Sequence, residues 1–167
     1  MSARPTTRSR TYLRDGRAPL PDREATSRVM SANRGKNTSP ELELRRELRD
    51  RGLRGYRLHR REVPGRPDVS FGPERLAVFV NGCFWHRCPK CQLPLPRTHI
   101  EFWERKFDAN QRRDVAKRSA LRRAGWKVLT LWECEIRGSP AKSADRVLAA
   151  LEAASSRREH LSRAGTP

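Results

Sequence analysis

The sequence has no run of apolar residues long enough to form a membrane-spanning helix, which needs about 20 of them. The first residues, 1–23, also lack the continuous apolar segment of a secretory signal. Hydrophobic residues make up only 35% of the chain and concentrate between Leu42 and Leu151. These absences exclude a protein with a transmembrane helix, and they predict an intracellular protein with one hydrophobic core and polar ends.

Acidic residues are scarce: 19 Asp and Glu stand against 37 Lys and Arg, for a formal net charge of +18. A chain this basic attracts polyanions, because neutralising phosphates releases condensed counterions. Most of the basic residues are arginine, whose planar guanidinium group pairs well with phosphates and with guanine edges. Nucleic acid is therefore the predicted partner, although the charge alone is also typical of a ribosomal-type protein without catalytic activity.

Cysteine is absent outside one group of four, Cys83, Cys88, Cys91 and Cys134. In a reducing compartment such a group favours a metal site over two disulfides. Three cysteines in a Gly- and Pro-containing loop, with the fourth directly after a predicted strand, suit tetrahedral zinc with Zn–S bonds of about 2.3 Å. Four thiolates leave no open coordination position, so the zinc is expected to be structural. The alternatives are two thiol pairs without a metal, or His86 as a replacement ligand.

Helix and strand signals follow one another within a single predicted domain. We expect a disordered basic tail at 1–24, the folded domain at 25–155 and a polar tail at 156–167. The order helix, strand, strand, helix, strand, helix predicts a mixed α/β sandwich. The predicted elements are a helix capped by Ser39 that ends near Gly52, strands at Val69–Phe71, Leu76–Val80 and Trp126–Trp132, a long helix from His99 to Ala124, and a last helix capped by Ser143.

Four dispersed side chains could build a nuclease site, which needs carboxylates for a hard divalent cation and a group that moves a proton. Glu41 lies in the first turn of a helix, and Asp68 follows a rigid Pro-Gly-Arg-Pro turn. His86 follows the buried strand, and Asp114 lies on the long helix. Each carboxylate alone has an ordinary explanation as a helix-start acid, a turn residue or an arginine partner.

One face of the long helix changes from aromatic to polar along its length. Trp103, Phe107, Asn110 and Asp114 follow one another at helical spacing and therefore share that face. A carboxylate at the end of an apolar stripe is not expected to be an ordinary solvated charge. This pattern favours a functional role for Asp114.

Four sequence blocks, in this order, resemble the signature of the very short patch repair (Vsr-type) endonucleases. They are Pro64–Asp68, Val78–His86, Glu101–Trp103 and Trp132–Cys134, and the resemblance covers about Ala25 to Gly138. It implies a restriction-endonuclease-like fold, that is, a three-layer α-β-α sandwich around a mixed central sheet, stapled by a structural zinc. It also implies a Mg²⁺-dependent endonuclease that nicks one strand of duplex DNA beside a T:G mismatch left by deamination of 5-methylcytosine.

The resemblance assigns a role to each matched polar residue. Asp68 would be the primary metal ligand, the backbone carbonyl of Val80 would join it, and Glu41 would hold a metal-bound water. His86 would move a proton near the scissile phosphate, and Asp114 would orient that histidine. The best-known members carry a hydroxyl residue at the position of Val80. The backbone carbonyl is present with either residue, so Val80 can still supply it.

The matched aromatic residues Phe84, Trp85 and Trp103 would form a wedge that enters the base stack, and Asn110 would also contact DNA. Ordinary core packing is the alternative for these aromatics. The implied partners are double-stranded DNA with a T:G mismatch and, as candidates, mismatch-repair proteins. The chain is expected to act as a monomer in the bacterial cytoplasm, associated with the nucleoid and without membrane contact.

Two further departures from the family pattern are chemically mild. Cys88 stands where the best-known members have a histidine, which makes the zinc site all-thiolate, and the lysine typical of restriction enzymes is missing, so His86 would replace it.

Two other functions stay open. One is a Vsr-like nuclease in defence or restriction with a different recognition rule, and the other is a non-catalytic, zinc-stapled DNA-binding module.

Overall fold

The computed structural model describes residues 35–164, with side chains defined through residue 156. The predicted N-terminal tail, 1–24, lies outside the described residues. Across 35–164, no helix combines the length and the apolar character that crossing a membrane requires. The helices are α1 (Ser39–Asp50), α2 (Ile100–Arg123), α3 (Glu133–Gly138) and α4 (Pro140–Ala164), and the strands are β1 (Arg57–Leu58), β2 (Val69–Phe71), β3 (Leu76–Asn81) and β4 (Lys127–Trp132).

The four strands form one mixed sheet in the order β1-β2-β3-β4. The pairs β1–β2 and β2–β3 are antiparallel, whereas β3 and β4 are parallel and stay in register from Leu76 opposite Lys127 to Asn81 opposite Trp132. A parallel pair needs a crossover connection of a dozen or more residues, and α2 lies in that connection. The predicted mixed central sheet is confirmed.

Residues of β3 alternate between two hydrophobic clusters. Leu76 and Val78 pack with buried residues of α1, α3 and α4, whereas Ala77 packs with Leu121 of α2. Because successive side chains of a strand point to opposite faces of the sheet, this alternation places helices on both faces. The predicted three-layer α-β-α sandwich is therefore confirmed. The larger cluster contains Leu44, Leu48, Val69, Phe71, Leu76, Val78, Leu131, Ile136, Ala144, Val147 and Leu151.

Helix α1 is capped by Thr38, so the predicted cap at Ser39 is wrong. The backbone N–H and the hydroxyl of Thr38 both donate to Glu41 Oε1, at 3.4 and 2.9 Å. Both bonds belong to a capping box, in which the side chain of the third helical residue reaches back to the cap residue. Counted from Ser39, the third residue is Leu42, whose side chain has no acceptor. The cap therefore fixes the direction of the Glu41 carboxylate.

The last helix begins at Pro140, so the predicted cap at Ser143 is also wrong. The Ser143 hydroxyl instead donates to the carbonyl of Ser139, at 3.1 Å, as a residue within the first turns of the helix does. The helix runs on to Ala164. Most of the segment predicted as a polar tail, 156–167, is therefore helical.

Two short elements were not predicted. Strand β1 has only two residues, both exposed, so no alternation of apolar and polar residues marks it. Helix α3 follows β4 without a break and spans less than two turns, which is too short for a helical pattern. The strand predicted from Trp126 begins one residue later, at Lys127. Both missed elements lie next to residues of the candidate site.

Candidate active site and metal centre

The sheet topology brings the candidate residues to one end of the sheet. Strand β2 is antiparallel to β3, so Asp68, just before β2, lies beside Val80, near the end of β3. Strand β4 is parallel to β3, so the residues that follow both strands are neighbours as well. Residues 82–91 and helix α3 therefore start from the same end of the sheet as Asp68.

The Asp68 carboxylate is held by the backbone of the neighbouring strand. Its Oδ2 accepts a hydrogen bond from the N–H of Val80, at 2.8 Å. Since the N–H and C=O of one strand residue point to the same side, the Val80 carbonyl faces the same region. Within the described residues, Asp68 Oδ1 accepts no hydrogen bond and lies 3.6 Å from His59 Nδ1. One carboxylate oxygen is thus available for a cation.

Burial raises the pKa of Asp68 from 3.8 to about 6, and the nearby charge of Glu41 adds to this rise. The hydrogen bond from Val80 and the positive charges of Arg45 and Lys117 act in the opposite direction. Two carboxylates that are buried close together favour a bound cation, because it removes their repulsion and replaces lost hydration. The site has the electrostatics of a cation-binding site.

The loop before Asp68 packs directly on α2, and this requires a glycine. Gly65 has a φ of +74°, and a Cβ added there would lie 2.9 Å from Cβ of Lys117. Only glycine combines that backbone conformation with so close an approach. The Pro-Gly-Arg-Pro turn is therefore anchored on the helix, which fixes where Asp68 enters the sheet.

The Glu41 carboxylate is 4% exposed and accepts several hydrogen bonds. Besides the two from Thr38, the N–H of Asn37 donates to Oε2 at 3.0 Å. The buried guanidinium group of Arg45 donates to the same oxygen at 2.6 Å and to Asn37 Oδ1 at 2.8 Å. Arg45 compensates the charge of Glu41, so this carboxylate is better placed to hold a neighbouring group than to bind a cation directly.

The structure adds one residue that the sequence analysis missed, His59. Its Nε2 lies 3.6 Å from Glu41 Oε2 and its Nδ1 lies 3.6 Å from Asp68 Oδ1. Burial lowers the pKa of His59, so the neutral ring predominates near neutral pH. The three side chains together form a group that could hold a metal ion. No sequence signal distinguishes His59, because it follows the short strand β1 that no pattern revealed.

His86 pairs with Asp114 rather than with the Glu41–His59–Asp68 group. The His86 Nδ1 lies 2.5 Å from Asp114 Oδ2. Because a carboxylate can only accept, Nδ1 is the donor in this pair, and Nε2 is the ring nitrogen that points away from Asp114. The loop turn that presents the ring is closed by a hydrogen bond from the His86 N–H to the carbonyl of Gly82, at 3.1 Å. The four predicted residues therefore divide into two sets: His86 pairs with Asp114, and Glu41 and Asp68 lie together in a separate group.

The four cysteine thiols lie within 4.8 Å of one another, and all four are free of disulfides. The Sγ atoms of Cys88 and Cys134 are 3.9 Å apart. Two thiolates on one tetrahedral zinc with bonds of about 2.3 Å would be separated by about 3.8 Å. The donor set and its spacing fit a four-thiolate metal site that joins the loop of Cys83, Cys88 and Cys91 to the start of α3.

Two glutamates of α3 tie the same loop to the helix. Glu133 Oε2 accepts a hydrogen bond from the N–H of Cys83, at 3.1 Å. Glu135 accepts from Lys90 at 2.5 Å and from Arg146 of α4 at 2.8 Å. The loop is therefore held near both of its ends even without a metal.

Phe84, Trp85 and Trp103 lie together in one aromatic cluster that also includes Phe107. The Phe84 ring centroid is 5.2 Å from that of Trp85, 5.5 Å from that of Trp103 and 5.1 Å from that of Phe107. Trp103 and Phe107 are buried, whereas Phe84 and Trp85 are half-buried. Asn110 donates to the carbonyl of Trp85, at 2.8 Å. Its amide thus supports the loop, and its predicted DNA contact stays a prediction.

Comparison with known proteins identifies the relatives of this chain. A family model described as DNA mismatch endonuclease Vsr matches residues 20–92. A type II nicking enzyme of Xanthomonas oryzae, V.XorIIP, is 43% identical over 109 residues, which cover 65% of this chain and 79% of that protein. The DNA mismatch endonuclease Vsr of Escherichia coli is 36% identical over 121 residues, which cover 72% and 77%. A type II nicking enzyme of Lentzea aerocolonigenes, V.NaeI, is 37% identical over 142 residues, which cover 80% and 82%.

Asp68→Asn should stabilise the protein in buffer without added magnesium or manganese. The pKa of Asp68 is about 6 in the folded chain against an ordinary value of 3.8, so the contribution of this group to the free energy of unfolding falls as pH rises from about 4 to about 6. At about 1.4 kcal/mol per pKa unit, the asparagine variant gains on the order of 2–3 kcal/mol near pH 7.5 and about half of that near pH 5. Urea denaturation at both pH values measures the difference.

Asp108→Asn, which removes an exposed aspartate on α2, is the matched control for the loss of one negative charge. If Asp68→Asn showed no greater gain at the higher pH than Asp108→Asn, the buried, raised-pKa carboxylate would be the wrong description of Asp68.

Proposed function

The chain belongs to the Vsr family of DNA endonucleases, and from that premise we propose that it nicks one strand of duplex DNA beside a T:G mismatch, with Mg²⁺ in the active site. The observation that carries the proposal is the joint presence, at one end of the sheet, of the buried Glu41 and half-buried Asp68 carboxylates, the His86–Asp114 pair and the aromatic cluster. A relative named as a mismatch endonuclease supports the substrate.

Magnesium fits the oxygen donors of the site, because this hard cation binds through one or two carboxylates and keeps several waters. Asp68 Oδ1 and the Val80 carbonyl would hold it, and Glu41 would accept a hydrogen bond from a bound water. When bound, Mg²⁺ supplies a Lewis acid for the scissile phosphate and lowers the pKa of a coordinated water. Val80 provides the carbonyl, but it lacks the side-chain hydroxyl that the best-known members have at this position.

His86 would be the group that moves the proton during hydrolysis. Asp114 fixes the ring and keeps the proton on Nδ1, so Nε2 can accept a proton from water or, once charged, donate one to the leaving oxygen. Asp114 is on the crossover helix, and His86 is in the metal-stapled loop. The pair therefore forms only when both elements are in place, which makes Asp114 a positioning residue.

The aromatic cluster would test the stacking of the DNA. Phe84 and Trp85 form its half-buried edge, and Trp103 and Phe107 form its buried base. Side chains that enter a base step must overcome the stacking of that step, which costs a few kcal/mol on intact duplex. A T:G wobble stacks less well, so insertion there costs less. Exposed arginines and lysines of α2 would bind the backbone on either duplex, among them Arg105, Arg112, Arg113, Lys117, Arg122 and Arg123.

A different recognition rule is the second candidate function. Relatives named as type II nicking enzymes include one at 43% identity, which favours strand cleavage next to another lesion or sequence by the same chemistry. A non-catalytic DNA-binding module no longer fits, since the chain belongs to an endonuclease family. Mismatch-repair proteins as partners, action as a monomer and the nucleoid location stay predictions.

The four-thiolate site would hold zinc in a purely structural role. We expect about one zinc per chain in purified protein, because four thiolates are the ligand set of closed structural zinc sites. Cys134→Ser should lower zinc content and destabilise the fold, since the free energy of binding such a zinc is also free energy of folding. Metal analysis and thermal unfolding measure both effects. Lys142→Ala, which changes an exposed side chain on α4 outside the thiol group, is the control, and folded protein without zinc would contradict the assignment.

The substrate is tested with a panel of labelled duplexes that carry each mismatch in one flanking sequence, in the presence of Mg²⁺. We expect the T:G duplex to be nicked fastest, on the thymine strand, and the matched duplex to be nicked far more slowly. His86→Ala should lower the rate by about 10²- to 10⁴-fold, the usual contribution of a proton-transfer group, and Asp68→Ala should abolish nicking. His99→Ala, which changes an exposed histidine, is the control for the loss of a histidine outside the His86–Asp114 pair. Equal rates on all duplexes would favour the second candidate function.

Trp85→Ala should weaken binding to the T:G duplex selectively. Aromatic stacking is worth about 1–3 kcal/mol per base, so the expected loss of affinity is about 5- to 150-fold on the mismatch and little on matched DNA. Arg112→Ala should instead weaken both complexes together and reduce the salt dependence of binding. Affinities at two salt concentrations, measured without magnesium so that no strand is cut, separate the two effects. An equal loss on both duplexes for Trp85→Ala would assign these aromatics to core packing.

A further inference from the structure

His59 has no role in the proposed chemistry, yet it stands between the two carboxylates of the site. The ligand atoms of Glu41, His59 and Asp68 all lie within 4.8 Å of one another. The His59 side chain is 15% exposed. A histidine ring enclosed by two carboxylates would ordinarily form a hydrogen bond with at least one of them.

The hydrogen bonds of the chain do not account for this ring. His59 Nε2 is buried and has no hydrogen-bond partner among the described residues. Both of its carboxylate neighbours are at 3.6 Å, beyond the 2.7–3.2 Å of a normal N–H···O bond. Buried polar atoms without a partner are rare and call for an explanation such as an ion.

The observed spacing is close to that of ligands on a shared cation. Nitrogen and oxygen ligands at about 2.0–2.2 Å from one metal are separated from each other by about 3.0–3.5 Å, depending on the coordination angle. The distance from His59 Nδ1 to Asp68 Oδ1 is 3.6 Å. A cation between these two atoms would need an adjustment of only a few tenths of an ångström.

The neighbours of each ring nitrogen determine which one faces the cation. Glu41 Oε2 already accepts hydrogen bonds from Asn37 and Arg45, so its charge is compensated. Asp68 Oδ1 accepts no hydrogen bond among the described residues and is the available ligand. Metal-binding histidines almost always donate their second N–H to a carboxylate or carbonyl. With Nδ1 on the cation, Nε2–H would point to Glu41, and the unpartnered atom would acquire its acceptor.

We propose that His59 binds the active-site cation directly through Nδ1, beside Asp68, and that Glu41 positions the ring by accepting a hydrogen bond from Nε2. This rests on the proposed metal-dependent function and extends it. Imidazole is a ligand of first-row transition metals. Mn²⁺ binds it less strongly than the later metals of that series do, but more readily than Mg²⁺, which favours oxygen ligands. The site therefore prefers Mn²⁺ to Mg²⁺, and His59 is the source of that preference.

The test measures Mn²⁺ binding to the full, zinc-loaded chain by electron paramagnetic resonance, without DNA and without turnover. Pulsed spectra of the wild type should show hyperfine coupling to a directly bound nitrogen, and the pattern should change when histidine is labelled with nitrogen-15. His59→Gln should remove the coupling and weaken Mn²⁺ binding by about 10- to 100-fold, the range seen when the surroundings of a metal ligand are changed. Mg²⁺ affinity, measured by competition, should change much less.

Two control variants separate the possible sources of the nitrogen signal. His86→Gln and His99→Gln should both keep the coupling, because neither histidine belongs to the Glu41–His59–Asp68 group. The isotope experiment on the wild type requires no variant to fold, and His59→Asn serves as a second variant where the glutamine fails. Wild-type Mn²⁺ spectra without nitrogen coupling, or coupling that persists in both His59 variants, would overturn the proposal.

Failure of this proposal differs from failure of the proposed function. If Mn²⁺ binds without nitrogen coupling but Asp68→Ala abolishes binding and T:G nicking, His59 is not a ligand and the proposed function stands. If Asp68→Ala binds Mn²⁺ as tightly as the wild type does, the cation site is elsewhere, and both the metal assignment and the role of His59 are wrong.

Discussion

The parallel pairing of β3 with β4 is the constraint on which the rest of the site depends. Its register sets Asn81 opposite Trp132, so the loop after one strand and the helix after the other start side by side. This register brings Cys83 and Cys134 close enough to share a metal. A parallel pair also requires a crossover, and the crossover contains α2, which carries Asp114 to His86. One pairing thus supports both the four-cysteine cluster and the histidine–aspartate pair.

On the antiparallel side of the sheet, the carboxylates of Asp68 and Glu41 are largely removed from solvent, and each negative charge needs compensation. Asp68 gains one backbone hydrogen bond from Val80, and Glu41 gains an arginine and the amides at the start of α1. The two solutions are unequal: Arg45 compensates Glu41, whereas burial still raises the pKa of Asp68 to about 6. The negative charge that is not yet compensated is therefore on Asp68, whose position is set by the loop that Gly65 anchors on α2. This asymmetry favours Asp68 as the proposed metal ligand and Glu41 as the carboxylate that orients its neighbours.

Sequence patterns predicted the layers, the mixed sheet and the family, because each depends on long apolar runs or on rare residue strings. They also predicted which residues to examine, since Asp68, His86 and the cysteines stand next to those runs. They failed where the deciding contact is local and short. The cap at Thr38 depends on which residue Glu41 reaches back to, and Ser39 looked equally suitable. His59 follows a two-residue strand, and it gains its surroundings only when β1 pairs with β2.

The loop after β3 contains the residues of all three proposed roles, namely metal binding, base-stack insertion and proton transfer, close together in sequence. Cys83 and Cys88 bracket Phe84, Trp85 and His86, so a metal that holds the two thiolates also fixes the residues between them. The backbone of Trp85 is held from α2 by Asn110, on the same helix face that presents Asp114. An aromatic edge that moved into a base step would therefore pull on the backbone that positions the histidine ring. Under the proposed function, a distorted base stack would be linked to proton transfer through the few covalent bonds that join Trp85 to His86.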